Sequence, residues 1–191
     1  FLIAKDLEAV AAGERSIVVI DSQGDLIRTI AQLEVFAPGQ PLHERLVMID
    51  PTDVEFPVSL NLFDVGQSRL QGYAQLERER LTNSIIELYD FVLGSLLSAE
   101  MTQKQNVIFR YVTRLMLQIP DATIQTLREL MEPKSEVRFA PYIAKLTGSA
   151  RHFFETEFGG SEFTQTRKQV LQRLWNILEN QTFERMFSHP R

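Results

Sequence analysis

The sequence predicts an α/β element followed by an all-α domain: part of a parallel sheet within residues 1–66, then helices over 67–191. Three observations predict it. The stretches Ser16–Leu26 (SIVVIDSQGDL) and Leu46–Asn61 (LVMIDPTDVEFPVSLN) each begin with a β-branched apolar run that ends on an aspartate. Buried parallel strands read as such runs and carry ligand-facing residues at their carboxyl ends. The segment between them fits one short crossover helix, which implies parallel pairing and a right-handed connection. Beyond Gly66 the apolar residues recur at steps of three and four, the period of a helix with one buried face.

In chain order, FLIAKDLEAVAAG places Leu2, Ile3, Leu7, Val10 and Ala11 on one helical face, with Gly13 as its C-cap. Phe1 stands where a methionine would open a gene product, so the chain reads as a piece that begins inside a helix. The first strand is expected at about 16–21, a turn at Asp21–Gly24 and a helix from Asp25 to about Val35. Pro38-Gly39 and Pro41 stop that helix, and the second strand follows at about 46–50. Residues 51–66, punctuated by Pro51, Pro57 and Gly66, are expected to be irregular, with the domain boundary near Gly66.

In the helical part, Leu81, Ile85, Leu88, Val92 and Leu96 form one stripe, widened by Ile86, Tyr89, Leu93 and Leu97. That predicts a helix buried around most of its circumference. Thr102 with Gln105 fits a capping box for a helix carrying Val107, Ile108, Tyr111, Val112, Leu115, Met116 and Ile119. Thr123 fits an N-cap for Ile124–Met131, and Pro141 the first turn of a short helix ending near Gly148. His152, Phe153, Phe154 and Phe158 form an aromatic cluster ahead of Gly159-Gly160. Phe163–Leu178 is the last long helix, and Phe183, Met186 and Phe187 mark a short final turn.

Composition excludes several chemistries. The 191 residues contain no cysteine, so there is no disulfide framework or thiolate metal site. No apolar run approaches a membrane span. Residues 1–66 hold 4 Lys+Arg against 11 Asp+Glu and residues 67–191 hold 16 against 14, which together give the net charge of −5. The acidic part is no nucleic-acid footprint, and DNA contact belongs, if anywhere, to the mildly basic helical part. His43, His152 and His189 are scattered, with neither HExxH nor a GxSxG elbow.

The acidic candidates are Asp21 with Asp25 at the first strand's end, and Asp50, Asp53 and Glu55 after the second. Such carboxylates can hold Mg²⁺ through water or orient a nucleotide. They equally suit a strand end, a helix cap and a solvated loop. Asn61 suits an anchor for its loop. The cations Lys104, Arg110, Arg114, Arg167, Lys168 and Arg173, and the run Glu77–Arg80, read as solvated helix faces, and Trp175 as core. GxxxxGK[ST] is missing, and no apolar strand ends in Asp-Glu. A self-contained ATPase is excluded on those grounds.

The succession hhhhDxxGDL, hhxIDPxDxExPhxLNhhD and a helical block resembles ring ATPases of the HerA–FtsK and VirD4 kind. It is most similar to type IV secretion coupling proteins and conjugative DNA-transfer ATPases. Asp21, Gly24 and Asp25 match the family's Asp-x-x-Gly-[Asp/Glu] turn, and Asp50, Pro51 and Asn61 match its second strand and following loop. Ser22-Gln23 stands where Pro-Lys or Pro-His is commoner. Phe183–Pro190 (FERMFSHP) is similar to the helix end ahead of Walker B. The likeness is specific over 16–64 and rests on helical spacing alone over 67–191.

The resemblance implies a partial RecA-like sheet carrying an inserted helical domain, cut from between Walker A and Walker B. It implies a bacterial parent that binds ATP and Mg²⁺ between the subunits of a homo-oligomeric hexamer and drives DNA through the ring. Asp21, Gly24 and Asp25 would be the nucleotide-side residues. No catalytic residue and no metal ligand carries over to this chain. The helical domain would contact DNA, a relaxase or a secreted protein, in the cytoplasm or at the cytoplasmic face of the inner membrane, with no membrane contact of its own. Two other readings remain: a non-catalytic helical protein-interaction module, and a hydrolase with a helical cap and Asp21 as nucleophile. The second wants another Asp two residues on, where this chain has Gln23.

Overall fold

A computed structural model describes residues 10, 12–13, 15–64, 72–96 and 102–190. The chain divides by its internal contacts into two units, Phe1–Ile49 and Asp50–Arg191. The proposed helical face of Leu2, Ile3, Leu7 and Ala11, the boundary residue Gly66 and the apolar position Leu97 lie outside the described residues.

In the first unit the expected sheet is absent. Residues 15–20 and 46–50 carry no regular secondary structure, and among the described residues neither segment joins a strand ladder. The partial RecA-like parallel sheet is therefore corrected. A strand takes its backbone hydrogen bonds and both covered faces from neighbours. Val18 is 84% exposed and Ile20 93%, so no neighbour covers this run. β-branched residues make an extended backbone locally comfortable but cannot supply the second strand.

The turn after the first run forms as the sequence reads. Gly24 takes φ +81, a left-handed conformation that suits glycine, and opens helix α1, Asp25–Ala31. That helix is shorter than the expected 25–35, and none of its residues is buried. Glu34–Phe36 and His43–Arg45 add single 3-10 turns. The His43 ring Nδ1 donates to the Phe36 carbonyl at 2.8 Å, closing the loop around Pro38-Gly39. Gly13 has φ +79, and its N–H donates to the Val10 carbonyl at 3.0 Å, as a C-cap glycine would.

In the second unit, residues 50–64 begin with two aspartate turns. Asp50 accepts from the Thr52 N–H and hydroxyl at 2.8 and 2.7 Å. Asp53 accepts from the N–H groups of Glu55 and Phe56 at 2.9 and 2.8 Å. The strap that follows is tied to the helices. Leu60 N–H donates to the Met186 carbonyl at 2.7 Å, and the Asn61 amide to the Ala122 carbonyl at 2.9 Å. The Tyr89 hydroxyl donates to the Leu62 carbonyl. Phe63 stacks on Tyr89 with ring centroids 5.1 Å apart. Asn61 is thus the anchor its position suggests.

Helices α2 (Gln75–Leu96), α3 (Gln103–Met116), α4 (Ile124–Leu130), α5 (Ser135–Arg138) and α6 (Ala140–Ile143) come next. They are followed by α7 (Gly148–His152), a π-turn at Phe153–Glu157, α8 (Ser161–Leu178) and α9 (Gln181–Phe187). Helix α3 is the centre, packing on α2, α4 and α8. Its Ile108, Phe109, Val112 and Leu115 are fully buried. Thr102 and Gln105 form the expected capping box, and Thr123 caps α4 in a box with Thr126. The π-turn widens the helix by one residue and aims Phe153 and Phe154 inward, where Phe153 meets Tyr111, Phe158 and Phe163. His152 of the expected cluster is exposed. Gly159 lies against the end of the Glu136 side chain: a Cβ there would come 2.9 Å from its carboxylate, which would have to move aside. Among the described residues no helix is long and apolar enough to cross a membrane.

Three readings of the helical part are revised. Helix α2 buries Ile86, Tyr89 and Leu93 but leaves Leu81, Leu88 and Phe91 exposed, so it is covered on one side only. Trp175 is half exposed, with the Arg128 guanidinium 4.8 Å above its ring. Arg167 is buried rather than solvated.

Candidate functional site

Asp21, Gly24 and Asp25 lie together in the cap of α1. One Asp21 oxygen accepts from Gln23 N–H at 3.1 Å, and the other from Leu26 N–H at 2.9 Å and Ile27 N–H at 3.4 Å. The Gln23 bond leads the set that holds this carboxyl below its usual range, against a smaller opposing effect of burial. Asp21 thus stays ionised and its oxygens are engaged with its own turn. Asp25 sits 3.7 Å from Arg28, both side chains well exposed. The arrangement is that of a helix start, and the acids Asp50 and Asp53 serve their own turns in the same way. Among the described residues no group of three His, Asp or Glu side chains could hold a metal ion.

An open concavity lies in the second unit. It has a volume of about 500 Å³ and is open to solvent. The first turns of α2, the C-terminal end of α3 and the connection from α6 to α7 enclose it. Each element brings one cation: Arg78 from α2, Arg114 from α3 and Lys145 from the connection. Asn83, Gln118 and Thr147 add hydrogen-bonding groups. The carboxylate of Glu79, also on the wall, accepts from the Gln75 amide at 3.1 Å. Arg78, Arg114 and Lys145 are exposed, and none is ion-paired among the described residues. Lys145 lies 5.1 Å from the Tyr142 ring. Lys104 and Arg110, by contrast, are paired, with Glu162 at 3.1 Å and Asp90 at 3.0 Å.

Chemically this is a shallow trough with three exposed positive heads and neutral donors between them. It suits an extended polyanion more than a small enclosed substrate. The sequence does not show it, because its cations come from positions 78, 114 and 145, far apart in the chain, of which the first two read as solvated faces. Only the packing of three elements puts them together.

Arg167 was missed for a different reason. Its guanidinium lies 4.9 Å over the Phe158 ring, donates to the Glu132 carbonyl at 3.3 Å and stands 3.8 Å from Glu136. Burial lowers its proton affinity, and Glu136 opposes that effect. The group ties α8 to the turn before α5 and is a structural cation. Against protein-family models, characterised proteins and solved structures alike, the chain shows no match.

Proposed function

We propose that the chain is a non-catalytic, substrate-contacting part of a DNA-transfer motor, and that its helical unit lays the phosphate backbone of DNA along the Arg78–Arg114–Lys145 trough. The observation that carries the reading is this convergence, on one open surface, of three exposed cations from three elements, none of them ion-paired among the described residues. The resemblance over residues 16–64 supplies the kind of motor. Its matching residues Asp21, Gly24 and Asp25 serve a local cap, so the trough bears the weight. In such a motor ATP and Mg²⁺ would be bound and turned over elsewhere in the parent hexamer, and the reading gives this chain no part in the chemistry.

Fluorescence anisotropy of labelled single- and double-stranded DNA tests it. Three phosphate contacts give a slope of log K against log salt of about −2.7 on duplex, and each of Arg78→Ala, Arg114→Ala and Lys145→Ala should reduce it by about 0.9. Sequence preference should be absent, because backbone contacts carry none. No DNA binding at low salt, or binding that the triple alanine variant leaves intact, overturns the reading in favour of a module that recognises protein.

A further inference from the structure

The wall that α2 gives the trough is unlike the other two. Its lining residues Gln75, Arg78, Glu79, Thr82 and Asn83 recur at the three- and four-residue steps of one helical face. The end of α3 brings Arg114 and the connection from α6 to α7 brings Lys145, and neither of these walls carries an acid among the described residues. Glu79 is exposed and is not ion-paired among the described residues; its carboxylate accepts only from the Gln75 amide, at 3.1 Å. It is the fifth residue of its helix, past the first turn in which the helix dipole rewards an acid. An anion on the wall of a cationic trough therefore has no evident service to the fold.

We infer that Glu79 is a specificity-determining residue: its charge makes the trough reject an unbroken chain of phosphates and accept one interrupted by sugars. The inference rests on the reading of the trough as a site for the DNA backbone. A polyanion held by Arg78, Arg114 and Lys145 has to pass the α2 wall, where Glu79 repels any anion set against it. In DNA an uncharged deoxyribose separates each phosphate from the next, so the strand has neutral stretches to place opposite the carboxylate. Inorganic polyphosphate has none. Each of its units is an anion, and some phosphate faces Glu79 in every register. The three cations by themselves attract both kinds of chain, because counterion release depends on charge and not on what lies between the charges. Discrimination then needs a repulsive element, and Glu79 supplies it.

Fluorescence anisotropy of labelled duplex DNA at low salt tests this, with inorganic polyphosphate and unlabelled duplex as competitors. Glu79→Gln removes the charge and keeps an oxygen that can accept from Gln75; circular dichroism checks the fold. The variant should bind polyphosphate about fivefold more tightly, the upper end for one exposed charge pair, and DNA less than about twofold more tightly. Glu79→Asp, which keeps the charge, should retain more of the wild-type selectivity for DNA than Glu79→Gln does. The difference between wild type and Glu79→Gln should shrink as salt is raised, because exposed charges are screened. Equal tightening of both competitors, no change in either, or weaker binding of both overturns the inference while the trough still holds DNA. A wild type that binds no DNA, or a triple alanine variant at Arg78, Arg114 and Lys145 that binds it unchanged, overturns instead the reading beneath, and the inference falls with it.

Discussion

The two units carry similar apolar residues to opposite ends. In the first, Ile17–Ile20 and Val47–Ile49 lie exposed and outside any regular element, and α1 buries none of its residues. In the second, α3 alone buries Ile108, Phe109, Val112 and Leu115 completely, and they belong to one continuous buried cluster with side chains from the other helices and their connections. The difference lies in what each kind of element needs. A helix satisfies its own backbone and asks its neighbours only to cover one stripe. An extended run asks its neighbours for hydrogen bonds as well as cover. The second unit contains enough helices to cover one another. Among the described residues the first has nothing comparable to cover its apolar runs.

Core truncation should break this contrast most visibly. Phe109→Ala and Phe158→Ala each remove a fully buried ring and should each cost about 3–5 kcal/mol, read from chemical denaturation of the helical signal. Ile20→Ser, at an exposed apolar position of the same general hydrophobicity, should stay within about 0.5 kcal/mol of wild type. Equal losses in the two experiments would mean that the Ile17–Ile20 run is covered after all.

A smaller effect is expected at the strap. Tyr89 is buried and donates to the Leu62 carbonyl, so Tyr89→Phe should cost about 1–2 kcal/mol by orphaning that carbonyl. Burial, with the charge of Asp64 behind it, pushes the Tyr89 phenol from 10.0 up to about 12. The folded chain therefore holds this proton more tightly than the unfolded chain. Its contribution is complete below pH 10 and is lost as the pH rises towards 12. The phenylalanine variant should lack that alkaline loss. A wild type and variant with parallel pH curves would show that the hydroxyl does not tie the strap down.

How much of this was legible follows from the same physics. The helices at Gln103–Met116, Ile124–Leu130 and Ser161–Leu178 were legible because capping chemistry and apolar period are both local, with Thr102, Gln105 and Thr123 as their markers. The sheet was misread because Ile17–Ile20 meets every local condition for a strand, whereas pairing is not a local property. Helix α2 was half legible. Two overlapping stripes were visible, but which of them faced inward depended on α3. Arg167 was read as solvated because a cation's burial depends on Phe158 and Glu136, which lie nine and thirty-one positions away in the sequence. The trough was illegible for the same reason.

The smallest effect falls on the first unit's own helix and tests the contrast from its weaker side. Helix α1 has seven residues and no buried side chain, too short to persist on propensity alone. Its Asp21 cap is then what holds the first turn, through the N–H groups of Leu26 and Ile27. Asp21→Ala should speed hydrogen exchange at those two amides, and Asp21→Asn, which keeps one acceptor oxygen, should do so less. The carboxyl is held below its ordinary value of 3.8 in the folded chain. Its contribution is therefore complete above that pH and is lost as the pH falls below it through the lowered value, so acid should reproduce the alanine phenotype in the wild type. Unchanged exchange at Leu26 and Ile27 in the alanine variant would mean that α1 draws its stability from packing, and the two units would then differ only in degree.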